Sequence, residues 1–235
     1  MTKQLNKLSN ETFLVDVKKF IKNSHDFYGE KKPEIKTLAV RLYEEYELNE
    51  FYNIFNKLWN SGYHSERVLA VETLELYKEE YDKETWRFLI PKIKEIRDFD
   101  ESEKIGKIIG EMTIKYPNLK REILKISDRR NPYYRKIALS SCFPLIKNKD
   151  WNFIFMIIRK RIFDKEKDII EFTGFLLKEI GKKNKMLVKK FIINNKNMNK
   201  EIFDIVLSSF SDFKKIKKLT NSENSNSLEW INSIK

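Results

Sequence analysis

Two stretches of this 235-residue sequence concentrate side chains that could do chemistry. The first is Asp98-Phe99-Asp100-Glu101-Ser102-Glu103, four acids in six residues beside an aromatic ring. They suit a helix start. Asp100 as N-cap with Glu103 at N3 makes a capping-box-like pair, and acids there complement the helix dipole by about 0.3–1 kcal/mol each. The second stretch is Asp128–Lys136, DRRNPYYRK. Asn131 fits an N-cap and Pro132 the first helical position. Arg129, Arg130, Arg135 and Lys136 then crowd the positive end of a helix, which costs a few tenths of a kcal/mol per charge, roughly. A docked phosphate reverses that sign, because free N–H groups and cationic side chains share it. This junction is the candidate phosphate contact. Tyr133 and Tyr134 fit a core or a groove wall better than a base-stacking platform.

Most other chemistries lack their residues. There is no G-x-S-x-G, no glycine-rich phosphate loop, no HExxH and no CxxC. His25 and His64 are the only histidines, too few for a zinc protease or a triad hydrolase. The single cysteine, Cys142, excludes an intrachain disulfide and a thiolate-cluster zinc site and fits a reducing compartment. No metal and no cofactor are expected. No apolar run approaches the ~20 residues of a membrane span, and the charged N-terminus is followed by no apolar signal region. A cytoplasmic protein, with no membrane partner, is the expectation.

The elements that must position these residues read as helices. Hydrophobic residues make up 41% and charged residues 35%, the balance of a folded globular chain. Six glycines and five prolines are too few for the tight turns of a sandwich or barrel. Apolar residues recur at three- and four-residue steps: Phe51, Ile54, Phe55, Leu58, Trp59; Val68, Val71, Leu74, then Tyr77; Ile105, Ile108, Ile109, Met112, Tyr116. Residues 151–162 are apolar nearly all round and predict a helix buried between others. Phe172, Phe175, Leu176, Glu179 and Ile180 trace another, with Gly181 placed to end it. Tyr116-Pro117, Arg130-Asn131-Pro132 and Lys149-Asp150-Trp151 read as short turns between helices. Helical pairs about 35 to 45 residues apart suggest a stacked helical-repeat solenoid of the HEAT type, with an ordinary α-bundle as the alternative. One domain over residues 1–220 is expected. The tail 221–235 follows, with Leu228, Trp230 and Ile231 docking as a last turn.

Charge is distributed unevenly. Residues 1–120 sum to −1 and residues 121–235 to +13, together the net +12. The excess lies in Asp128–Lys136, Arg159–Arg161, Lys182–Lys190 and Lys214–Lys218. A one-sided basic surface is the footprint of a polyanion partner. Lys outnumbers Arg 37 to 10, however, a bias that AT-rich coding alone would produce.

The residues also carry a family resemblance. Phe27–Leu38, FYGEKKPEIKTL, resembles the opening of the AlkD-like DNA alkylation repair family, with Lys36 at that pattern's basic position. Leu58–Ala70, LWNSGYHSERVLA, is similar to the family's Leu-Trp-x-Ser followed by Glu-Arg-x-x-Ala. Phe99–Glu103 stands where the family has Trp-Asp-x-x-Asp. Asn131–Ala138 is similar to the stretch before the family's active-site Arg, and Gly174–Lys182 resembles its Gly-Trp-x-Leu-Arg-Glu-x-x-Lys.

The resemblance implies an all-α, HEAT-like helical-repeat α-solenoid whose concave, basic face holds double-stranded DNA. It implies excision of N3- and N7-alkylated purines by metal-free cleavage of the N-glycosidic bond. Glu103 aligns with the family's catalytic Asp, Phe99 and Phe175 with its two Trp residues, and Lys136, or Arg135 after a one-residue shift, with its Arg. The implied catalytic set is Glu103, Phe99 and Phe175. The implied DNA contacts are Arg129, Arg130, Arg135, Lys136, Lys182 and Lys183, in a nucleoid-associated monomer. Two other readings stay open on the residues: a non-catalytic relative binding bent, branched or damaged DNA, and a HEAT-type protein-interaction scaffold.

Overall fold

The computed structural model describes residues 32–210, and among them every regular element is helical. The chain divides into two compact units, Met1–Met112 and Thr113–Lys235.

The first unit holds α1 (Lys32–Glu45), α2 (Leu48–Trp59), α3 (His64–Leu76), α4 (Lys83–Lys94) and most of α5 (Phe99–Lys115). α1 packs on α2 and α3, and α2 on α3. The stripe Phe51, Ile54, Phe55, Leu58, Trp59 is buried as its spacing requires. Each such side chain contributes about 1.5–3 kcal/mol of burial. Phe55 stacks on Trp59 with ring centroids 5.3 Å apart. In α3 the buried face is Leu69, Ala70, Val71 and Leu74, while Val68 is only half-buried. Ile105, Ile108, Ile109 and Met112 turn α5 toward the core.

The second unit holds α6 (Lys120–Ser127), α7 (Pro132–Leu145), α8 (Trp151–Arg159), α9 (Lys167–Lys183), α10 (Lys185–Asn194) and α11 (Lys200–Ser209). α7 packs on α6, α8 and α9, and α9 on α10 and α11. The main contacts join helices near one another in the chain, the pattern of a helical repeat. The three expected turns fall where the sequence places them, at 116–117, 130–132 and 149–151.

Two expectations about α8 and α9 need correction. The apolar run 151–162 is helical only to Arg159, and Met156 is 44% exposed. Phe153, Ile154, Phe155, Ile157 and Ile158 are buried, so one side of the helix remains open. Gly181 does not end α9, which continues to Lys183 and is capped by Asn184. Its role is close packing: a Cβ at Gly181 would lie 2.3 Å from the Phe210 ring, and one at Gly174 would lie 2.9 Å from Ile205. Phe27–Lys31, His25, Lys214–Lys218 and the tail 221–235 lie outside the described residues.

Candidate active site

The acidic cluster builds the start of α5, displaced by two residues from the expected register. Asp98, not Asp100, caps the helix: its Oδ1 accepts the Glu101 N–H at 2.8 Å, and its carbonyl accepts the Ser102 hydroxyl at 2.7 Å. Glu101 therefore occupies N3, and Glu103 lies half a turn further in. Phe99 and Glu103 are four residues apart, so both project from one face of the helix. Both are half-buried. The Glu103 carboxylate accepts from the Lys107 ammonium at 2.8 Å. Lys104 pairs with Glu72 of α3. Close by, the Glu75 carboxyl is pushed above its ordinary value by burial, against Lys104 and Lys107 and with Glu72 and Glu103.

Beneath this surface lies an assembly that local sequence patterns did not reveal. Arg67 and Glu101 are 3% and 1% exposed and form a two-pronged ion pair. The guanidinium also donates to the Trp59 carbonyl at 3.2 Å and the Glu95 carbonyl at 2.9 Å. Its Cζ sits 3.6 Å from the centroid of the Trp59 ring, whose indole N–H donates to the Glu95 carboxylate at 2.7 Å. Glu101 Oε2 accepts the Arg97 N–H at 3.0 Å. Trp59 and Arg67 come from the block Leu58–Ala70 and Glu101 from the acidic stretch Asp98–Glu103, and only their meeting in space gives them one role.

His64, Asp98 and Glu101 bring an imidazole nitrogen and two carboxylates within 4.8 Å of one another. Both Glu101 carboxylate oxygens are already taken by Arg67, so a cation there would have to displace the guanidinium, and this donor set is a poor metal site.

In the second unit the basic junction folds as its residues dictate. The Asn131 side chain accepts the Tyr133 N–H at 2.9 Å, and Pro132 opens α7. Arg129 and Arg130 are exposed; Tyr133 and Tyr134 are half-buried. Arg135 and Lys136, adjacent in sequence, meet different environments. The Arg135 guanidinium is held by Asp164, Nε at 2.8 Å and Nη2 at 2.9 Å, and donates to the Arg130 carbonyl. Arg161 reaches the same carboxylate at 3.2 Å. Asp164 also accepts the N–H groups of Lys165 and Glu166. Burial raises the Asp164 carboxyl, but the Glu166 N–H and both guanidiniums outweigh it and hold it below the usual range. Arg135 must break this network before it can reach a phosphate.

Lys136 is 6% exposed, with its ammonium 3.9 Å from the centroid of Phe172. Phe172 and Phe175 are 5.9 Å apart, and Phe175, 40% exposed, stacks on Phe143 at 5.7 Å and 15°. The structure thus joins Lys136 to Phe175 through Phe172 and adds Phe143 as a further ring. No spacing rule pointed to Phe143, which belongs to a different helix. Lys182 and Lys183 are exposed at the end of α9, where cations complement the helix dipole, and Lys182 pairs with Glu179. Lys36 is exposed on α1.

The sequence matches the family described as DNA alkylation repair enzyme over residues 1–203. The chain belongs to this family. Among solved structures it is similar to the X-ray crystal structure of AlkD2 from Streptococcus mutans, with a TM-score of 0.61 at 20% identity. That likeness covers 83% of this chain and 98% of the other. Comparison with curated proteins finds no match. The shared architecture identifies the fold of this DNA alkylation repair family member as a helical-repeat solenoid. No described helix is long and apolar enough to cross a membrane.

Proposed function

We propose that the protein is a DNA glycosylase that removes N3- and N7-alkylated purines from duplex DNA as a monomer, without metal or cofactor. The observation that carries this reading is Phe99 and Glu103 sharing one face of α5 in a chain of this family. An alkylated purine is cationic, so its C1′–N bond electrons return to the ring and the base departs neutral. The sugar acquires oxocarbenium character. Glu103 stabilises that charge and orients the water that adds to C1′, whose proton passes to the carboxylate or solvent. Phe99 offers the departing base a cation–π face, about 0.5–2 kcal/mol, and Phe175, in the second unit, is given the same type of contact on the family resemblance alone. Arg129, Arg130, Lys182 and Lys183 hold the phosphate backbone, with Lys136 nearest the Phe175 wall.

A second reading has its own observation. Glu103 is paired with Lys107 at 2.8 Å, which offsets the charge a cationic sugar would feel. That pairing favours a protein that binds distorted DNA without excising a base. Glu103→Gln separates the two. Under the proposal the variant loses base release and keeps duplex affinity; unchanged release would remove the role given to Glu103.

A further inference from the structure

We infer that Arg67 is a positioning residue for the proposed excision reaction, setting the first turns of α5, from which Phe99 and Glu103 project; this rests on the glycosylase reading. The guanidinium engages three separate parts of the first unit: the end of α2 through the Trp59 carbonyl, the turn after α4 through the Glu95 carbonyl, and α5 through Glu101. Glu101 lies between the two functional positions, two residues after Phe99 and two before Glu103. Its carboxylate is fixed twice more, by the Arg67 Nε and by the Arg97 N–H immediately before the helix. The azimuth of α5 is therefore set by a planar fork and not only by apolar packing. Trp59 closes the fork from one face and is itself tied to Glu95. A lysine could supply the charge but not the two parallel donors that fix rotation.

A rotation of α5 that moved the carboxylate by about 1 Å would cost roughly 100-fold in rate while leaving phosphate contacts in the second unit unaltered. Arg67 touches neither base nor sugar in this scheme. It acts through Glu101.

The test compares wild type, Arg67→Lys, Arg67→Met and Val188→Ala, the last a buried substitution on α10 that lowers stability away from α5. Single-turnover release of 7-methylguanine from a methylated duplex is measured below every unfolding transition. Duplex affinity and backbone amide exchange are measured alongside. Expected are a rate loss of about 10- to 100-fold in both Arg67 variants, nearly unchanged affinity, and faster exchange centred on residues 97–104, with smaller changes beside Trp59 and Glu95. Val188→Ala should keep the wild-type rate. Faster exchange spread evenly through the first unit, or an Arg67→Met rate no lower than that of Val188→Ala, would overturn the inference. No release from wild type would instead refute the glycosylase reading, and the exchange pattern would still decide whether Arg67 sets α5.

Discussion

Asp164→Asn isolates the energetics that separate Arg135 from Lys136. The Asp164 side chain is 6% exposed and lies between Arg135 and Arg161, at 14% and 13%. Replacing the carboxylate removes one charge and leaves two poorly solvated guanidiniums without their nearest counter-ion, with Asp128 acting only on Arg161 and more weakly. Breaking a buried pair costs about 3–5 kcal/mol. Asparagine keeps one oxygen for the Lys165 and Glu166 N–H groups, so the lower end, about 3 kcal/mol, applies. For a chain of this size that is a fall in Tm of roughly 6–12 °C. The sign with pH follows from the carboxyl's lowered folded value. Its contribution is complete above the unfolded pKa, about 3.9, and is lost as pH falls through the folded value. Thermal scans from neutral pH downward should show wild type and variant separated at pH 7 and converging in acid. A shift below about 2 °C at pH 7 would mean solvent screens the triad, and Arg135 would again be available to DNA.

Replacing Arg129 and Arg130 together by alanine should flatten the dependence of log affinity on log salt by up to about 2, if each neutralises one phosphate. An unchanged slope would remove them from the DNA contact. Gly174→Val should cost about 1–3 kcal/mol by driving α9 from α11, because even a Cβ would meet Ile205 at 2.9 Å; equal denaturation midpoints would contradict that packing. Burial pushes the Cys142 thiol far up, so a thiol reagent should label it only on unfolding. Rapid labelling of native protein would place α7 wrongly.

Helix periodicity made much of the fold legible. The stripe from Phe51 to Trp59 and the face from Ile105 to Met112 are buried because three- and four-residue spacing leaves few other arrangements. The Asn131-Pro132 start of α7 was readable because a cap and an N1 proline are local chemistry. The α5 start was displaced because three acids within reach, Asp98, Asp100 and Glu101, can each serve a helix N-terminus. Arg67 decides among them from 34 residues away by claiming Glu101. Likewise, nothing local distinguishes Arg135 from Lys136. Their difference comes from Asp164 and Phe172, which only tertiary packing delivers. Gly181 resembles a helix end in sequence, yet it serves the approach of Phe210.

Release of free base from a duplex carrying N-methylated purines tests the central claim most directly. Wild-type protein, shown in the same preparation to bind DNA, should liberate 7-methylguanine or 3-methyladenine and leave abasic sites, with Glu103→Gln inactive. Binding without any released base would contradict a glycosylase and leave a family member that recognises distorted DNA.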